Sequence, residues 1–78
     1  MKHEIKILDT YASEHLKGIK PWELRKNDRN YKQNDTIEFT VVDYANTPTG
    51  VKYLRKIKYL YEGGVYGLQD GFCIMTIQ

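Results

Sequence analysis

Lys20, Glu23 and Arg25 set an ammonium, a carboxylate and a guanidinium within six residues, interleaved with Trp22 and Leu24. As a cation, Lys20 would neutralise a phosphate or a developing oxyanion. Deprotonated, it would be a base or nucleophile. Arginine suits bidentate contact with a phosphate or a guanine edge, and glutamate accepts from an exocyclic amine of a base. All three therefore suit a nucleotide. If residues 22–25 are extended, alternation sends Trp22 and Leu24 to one face and Glu23 and Arg25 to the other. The apolar pair is then expected in the core and the charged pair in a cleft. A plain salt bridge, with Glu23 orienting Lys20 or Arg25, is the simpler alternative. Base stacking is the competing use for Trp22.

Several elements must position these groups. Residues 3–8 predict a first strand with Ile5 and Ile7 on one face. Asp9 is a candidate N-cap for a short helix over residues 10–17, and Gly18 a candidate C′ residue that ends it. A short strand over 22–25 leads into a turn-rich loop at 26–30 and a second turn at 33–35. Residues 36–44 predict a strand with Ile37, Phe39 and Val41 inward. Pro48 argues for a loop over 45–50, because proline is excluded from the middle of a central strand. A long strand over 51–61, a glycine-punctuated connection over 62–71 and a last strand over 72–77 complete the chain. The expected class is α+β: a small mixed sheet or β-barrel with one or two short helices.

With 78 residues, a single domain spanning 1–78 is expected. A chain this short buries only roughly 60% of its unfolded surface, so its core is thin. The lone Cys73 allows no internal disulfide, which fits a reducing, cytoplasmic setting. The charged first residues do not resemble a leader, and no segment is long and apolar enough to suggest a membrane span. His3, His15 and Cys73 lack metal-ligand spacing, so neither metal nor cofactor is expected.

The net charge of +2 conceals an asymmetry. Residues 17–32 carry +4, residues 51–61 carry another +4, and everything else sums to −6. Two basic segments on an acidic remainder point to an anionic partner held on one side. Lys26 and Arg29 extend the first segment beyond Arg25. In the second, Lys52, Lys56 and Lys58 would share a face, either tracking phosphates or guarding a solvated sheet against edge pairing. Tyrosine is over-used, with seven copies. Tyr31 and Tyr66, in or beside loops, are the stacking candidates for single-stranded RNA; the others are read as strand packing. Glu62 sits beside Gly63 and Gly64, so it is a candidate to reach the Lys20 site. The amides around Gly63, Gly64 and Gly67 are candidate anion donors, and a tight turn with a capping acid is the alternative.

The spacing Gly18-x-Lys20-x-x-Glu23-x-Arg25 resembles the signature of the ASCH domain family, a branch of the PUA-like superfamily. Residues 3–8, 23–29 and 59–77 are similar to segments of a subgroup of very small bacterial and phage ASCH-like proteins. The resemblance implies a compact PUA-like barrel with helices at its rim and an RNA-binding cleft around the signature. Some ASCH proteins are amidohydrolases that deacetylate acetylated cytidine with a lysine, a threonine and a glutamate. Lys20 matches that lysine, but Glu23 stands where the threonine would be, a departure that counts against the same reaction.

The leading expectation is an RNA- or nucleotide-binding module using Lys20, Glu23, Arg25, Lys26, Arg29 and Tyr66. The alternative is an amidohydrolase acting on a modified nucleoside, with Lys20 and Glu62 or Glu23 in catalysis. A third reading is a protein-interaction module whose basic face meets an acidic partner.

Overall fold

The computed structural model describes residues 1–78 as β1 (Lys2–Leu8), α1 (Asp9–Leu16), β2 (Trp22–Lys26), β3 (Thr36–Val42), β4 (Pro48–Glu62) and β5 (Phe72–Ile77). Period-two patterning builds the strands. In β1, His3, Ile5 and Ile7 are buried between exposed charged neighbours. In β3, Ile37, Phe39 and Val41 are buried, as alternation predicts. These residues meet Ile57 of β4 and Cys73, Met75 and Ile77 of β5 in one core cluster that also takes in Ala12 and Tyr31.

The strands form one mixed sheet in the order β1-β3-β4-β5-β2. β1 runs parallel to β3, and every other neighbouring pair is antiparallel. The fold is therefore sheet-dominated α+β with one short helix. Of the two expected forms, the mixed sheet is observed and the barrel is corrected: β1 and β2 are free edges with no ladder between them. In a flat sheet, four strand spacings of about 4.8 Å would hold those edges roughly 19 Å apart. Instead Arg25 of β2 reaches Lys6 of β1 with a hydrogen bond of 2.8 Å, so the sheet curls almost to closure. The Arg25 side chain bridges the remaining gap.

β3 stops at Val42, short of the expected residue 44, and two other boundaries differ for a physical reason. β4 begins at Pro48, which pairs with Val42, so the predicted loop is shorter. Proline is tolerated there because the first residue of a strand need not donate to the ladder. α1 starts at Asp9 itself, with Leu8 at the N-cap and no side-chain cap. Asp9 contributes its charge to the positive end of the helix instead.

The other end of α1 matters for the site. Gly18 takes a left-handed φ of 75°. Its N–H donates to the His15 carbonyl (3.0 Å) and that of Ile19 to the Glu14 carbonyl (3.0 Å), the paired bonds of a Schellman cap. The Lys20 N–H also donates to Glu14, at 3.2 Å. The cap thus turns the chain sharply and delivers Lys20 beside the start of β2. An added Cβ at Gly18 would meet nothing within 4 Å, so only backbone strain opposes a side chain. Gly18→Ala is expected to destabilise the protein by about 1 kcal/mol, read as a lower urea midpoint at unchanged m-value.

Candidate functional site

β2 presents Glu23 inward and Trp22 and Leu24 outward. Trp22 is 43% exposed and Leu24 47%, whereas Glu23 is 4% exposed. The alternation is as predicted, but the faces are reversed. Register with β5 explains the reversal, because directly opposed residues in an antiparallel pair share a face. Glu23 lies opposite Met75 and Arg25 opposite Cys73, both fully buried. The interior face of β5 thus carries the charged pair inward with it.

A carboxylate in that position needs partners, since burying an unpaired charge is costly. Glu23 has three. Its Oε1 lies 3.2 Å from both Lys20 Nζ and His15 Nε2. Its Oε2 accepts from Arg25 Nε at 2.6 Å. No buried side-chain nitrogen or oxygen in the molecule lacks a hydrogen-bond partner.

His15 extends the network away from solvent. Its Nε2 faces only acceptors, the Trp22 carbonyl at 3.1 Å and Glu23 Oε1, so Nε2 carries the proton. Nδ1 is then the acceptor in the neutral ring, and the Tyr53 hydroxyl donates to it at 2.8 Å. Burial pushes the Tyr53 hydroxyl up to about 12, keeping that proton in place. Phe39 packs edge-on against His15 at 5.2 Å and stacks on Tyr53 at 5.0 Å, which holds both rings. The order from core to cleft is Tyr53, His15, Glu23, then the two cations.

Lys20 Nζ lies 4.7 Å from the Tyr11 ring centroid and 4.9 Å from that of Trp22, so the ammonium sits between two π faces and one carboxylate. Arg25 is fixed by Glu23 on one side and the Lys6 carbonyl on the other. These groups line a cleft of about 510 Å³ with walls of Ile7, Leu8, Tyr11, Trp22 and Leu24. One carboxylate against Lys6, Lys20 and Arg25 leaves the cleft cationic, and its walls offer exposed aromatic surface. Such a lining is chemically complementary to a flat or apolar group bearing negative charge.

The other candidate residues divide. Lys26 and Arg29 line an adjoining cleft of about 440 Å³ with Glu4, Lys6, Arg25 and Asp28. Tyr66 is 96% exposed in the connection before β5 and lines no cleft. Glu62 lies at the far end of β4, opposite Cys73, and makes no ion pair with Lys20. The Gly63 N–H is spent on the Phe72 carbonyl and that of Gly64 on Leu68, both at 2.8 Å, which is the turn reading of that segment. Tyr31, expected as a surface stacker, is buried with its ring edge-on to His3 at 4.8 Å and forms part of the wall of that adjoining cleft. Of the second basic segment, Lys52 and Lys56 are exposed on β4 and line neither cleft.

His15, Tyr53 and Tyr11 carry the site and were not singled out from sequence. His15 had one usable signal: it lies three residues after Ala12, on the face of α1 that is buried.

The family model for a domain of unknown function (DUF3850) matches residues 2–77. The chain belongs to the DUF3850 family. No curated protein matches it. In this DUF3850 chain no helix is long and apolar enough to cross a membrane. No group of three or more His, Cys, Asp or Glu side chains is placed to hold a metal ion.

Two outcomes follow from the buried network. Glu23→Gln removes the only carboxylate facing Lys20, Arg25 and His15, and is expected to cost roughly 2 kcal/mol in chemical denaturation, since breaking a buried pair strands its partners. The second concerns acid. Burial pushes the His15 imidazole below its ordinary value, outweighing the opposing pull of Glu23 and the Trp22 carbonyl. The unfolded chain therefore takes up this proton first. Stability is full above about pH 6.5 and falls as the pH drops toward the folded-state value. Denaturation midpoints across that range should decline in the wild type and decline less in His15→Gln.

Proposed function

We propose that the protein is an RNA-binding module of the ASCH/PUA-like kind that captures a nucleotide in the cleft between the open edges of its sheet. The observation that carries this reading is the convergence of Lys20 and Arg25, both held by buried Glu23, beside the partly exposed rings of Trp22 and Tyr11. Aromatic faces stack on any base, and fixed cations neutralise the phosphate that accompanies it. Preorganisation supports the same reading: neither cation must be ordered when the ligand arrives, so less binding energy is lost to side-chain entropy. The resemblance around Gly18, Lys20 and Arg25 points the same way.

An amidohydrolase acting on an acylated nucleoside is the second reading, favoured by the hydrogen-bonded chain from Tyr53 through His15 to Glu23. The surroundings of Lys20 weigh toward binding, because a carboxylate and two aromatic rings already engage its Nζ and leave it poorly placed to attack a substrate.

Trp22 is the only tryptophan in the chain and stands at the cleft, so its fluorescence reports occupancy directly. Titration with short single-stranded RNA should quench it, with affinity falling as salt rises. Lys20→Ala should weaken binding at least tenfold. Absence of quenching at low salt, or affinity indifferent to ionic strength, overturns the reading. Deacylation of acylated nucleosides that Lys20→Ala abolishes would replace it with the enzyme.

A further inference from the structure

The two clefts share a wall. Lys6 and Arg25 line both, and the hydrogen bond from Arg25 Nη2 to the Lys6 carbonyl closes the gap between β1 and β2 at that point. On one side lies the aromatic cleft of Trp22 and Tyr11. On the other, Lys26 and Arg29 stand with the carboxylates of Glu4 and Asp28. The first is suited to a flat ring. The second offers donors and acceptors to a polar group such as a ribose or a base edge.

The chemistry of the shared wall is specific. A guanidinium has five N–H donors. Arg25 spends Nε–H on Glu23 and one Nη2–H on Lys6, which leaves three N–H groups on a fork that cannot swing away. The Lys6 side chain is exposed beside it. A fixed fork with a second cation at its side is a seat for a singly charged tetrahedral oxyanion. A group held there would have one substituent in each cleft.

We infer that the ligand of this site is a dinucleotide step, with its bridging phosphodiester on Arg25 and Lys6, one base against Trp22 and Tyr11, and the neighbouring nucleoside in the cleft of Lys26 and Arg29. This inference rests on the nucleotide-binding reading and adds to it the length of the unit recognised and the phosphate that is read.

Net attraction and the proposed seat make opposite predictions for two small probes. A ribonucleoside 5′-monophosphate carries about −1.5 to −2 charges at neutral pH, whereas a dinucleoside monophosphate carries a single one. General attraction therefore favours the former and a bridging-phosphate seat the latter. Trp22 fluorescence titrations would compare the four 5′-monophosphates with ApA, CpC, GpG and UpU, and with their uncharged methylphosphonate analogues. At least one dinucleotide is expected to bind tenfold or more tightly than its monophosphate, and its methylphosphonate should lose that advantage. Arg29→Ala should bring the dinucleotide-to-mononucleotide affinity ratio toward one. Monophosphates binding as well as or better than every dinucleotide would overturn the inference and leave nucleotide binding standing. A dinucleotide preference that survives in the methylphosphonate would also overturn it, by removing the phosphate seat. If none of these probes nor short RNA binds at low salt, the nucleotide-binding reading falls together with the inference.

Discussion

One buried carboxylate holds the working end of this molecule together. Glu23 lies on the interior face of an edge strand, where an unpaired charge would be untenable, and everything around it answers that requirement. His15 is brought by the helix, Lys20 by the glycine-capped turn that follows it, and Arg25 by the same strand two residues on. Each of those cations or donors is in turn fixed by something else: Tyr53 for His15, two aromatic faces for Lys20, the Lys6 carbonyl for Arg25. The carboxylate is therefore an organiser. It spends its acceptor capacity on the protein so that the cations present a fixed pattern to whatever enters the cleft.

That arrangement also accounts for where the sheet stops. Closing the gap between β1 and β2 with a backbone ladder would bury the outer edge of the site and seal the cleft. Arg25 bridges the edges instead, with a side chain. A side-chain bridge holds the curl of the sheet while leaving N–H groups available at the opening. Edge strands left unpaired usually invite aggregation; here the charges of exposed Lys6 and Lys26 and half-buried Arg25 line the gap. The same residues thus protect the edges and form the walls of two adjoining clefts.

Much of the frame was legible in the residues. Ile37, Phe39 and Val41 alternate cleanly, and Gly18 marks the end of the helix because a left-handed residue is needed there. The association of Lys20, Glu23 and Arg25 was also legible, since a turn of three residues and one strand period keep them near one another. Tyr31 was not, because nothing local distinguishes a loop tyrosine that packs on His3 from one that faces solvent. Nor were His15 and Tyr53, whose meeting spans 38 positions and depends on the helix lying against β1 and β3. Pro48 misled for a related reason: it is disfavoured within a central strand but acceptable at its first residue, and only pairing reveals which applies.

The parity of β2 gives the sharpest division between the two kinds of information. The order of residues alone places Trp22 and Leu24 on one face and Glu23 and Arg25 on the other, because side chains alternate along any extended backbone. It could not determine which face is the interior. Hydrophobicity argued for the tryptophan, yet the register with Cys73 and Met75 decided for the glutamate, and the partners supplied by α1 and β4 made that choice affordable. Alternation is a property of one strand; its sense is set by neighbours distant in sequence. The chemistry of this site, a buried acid steadying cations beside an exposed indole, exists only once those neighbours have assembled.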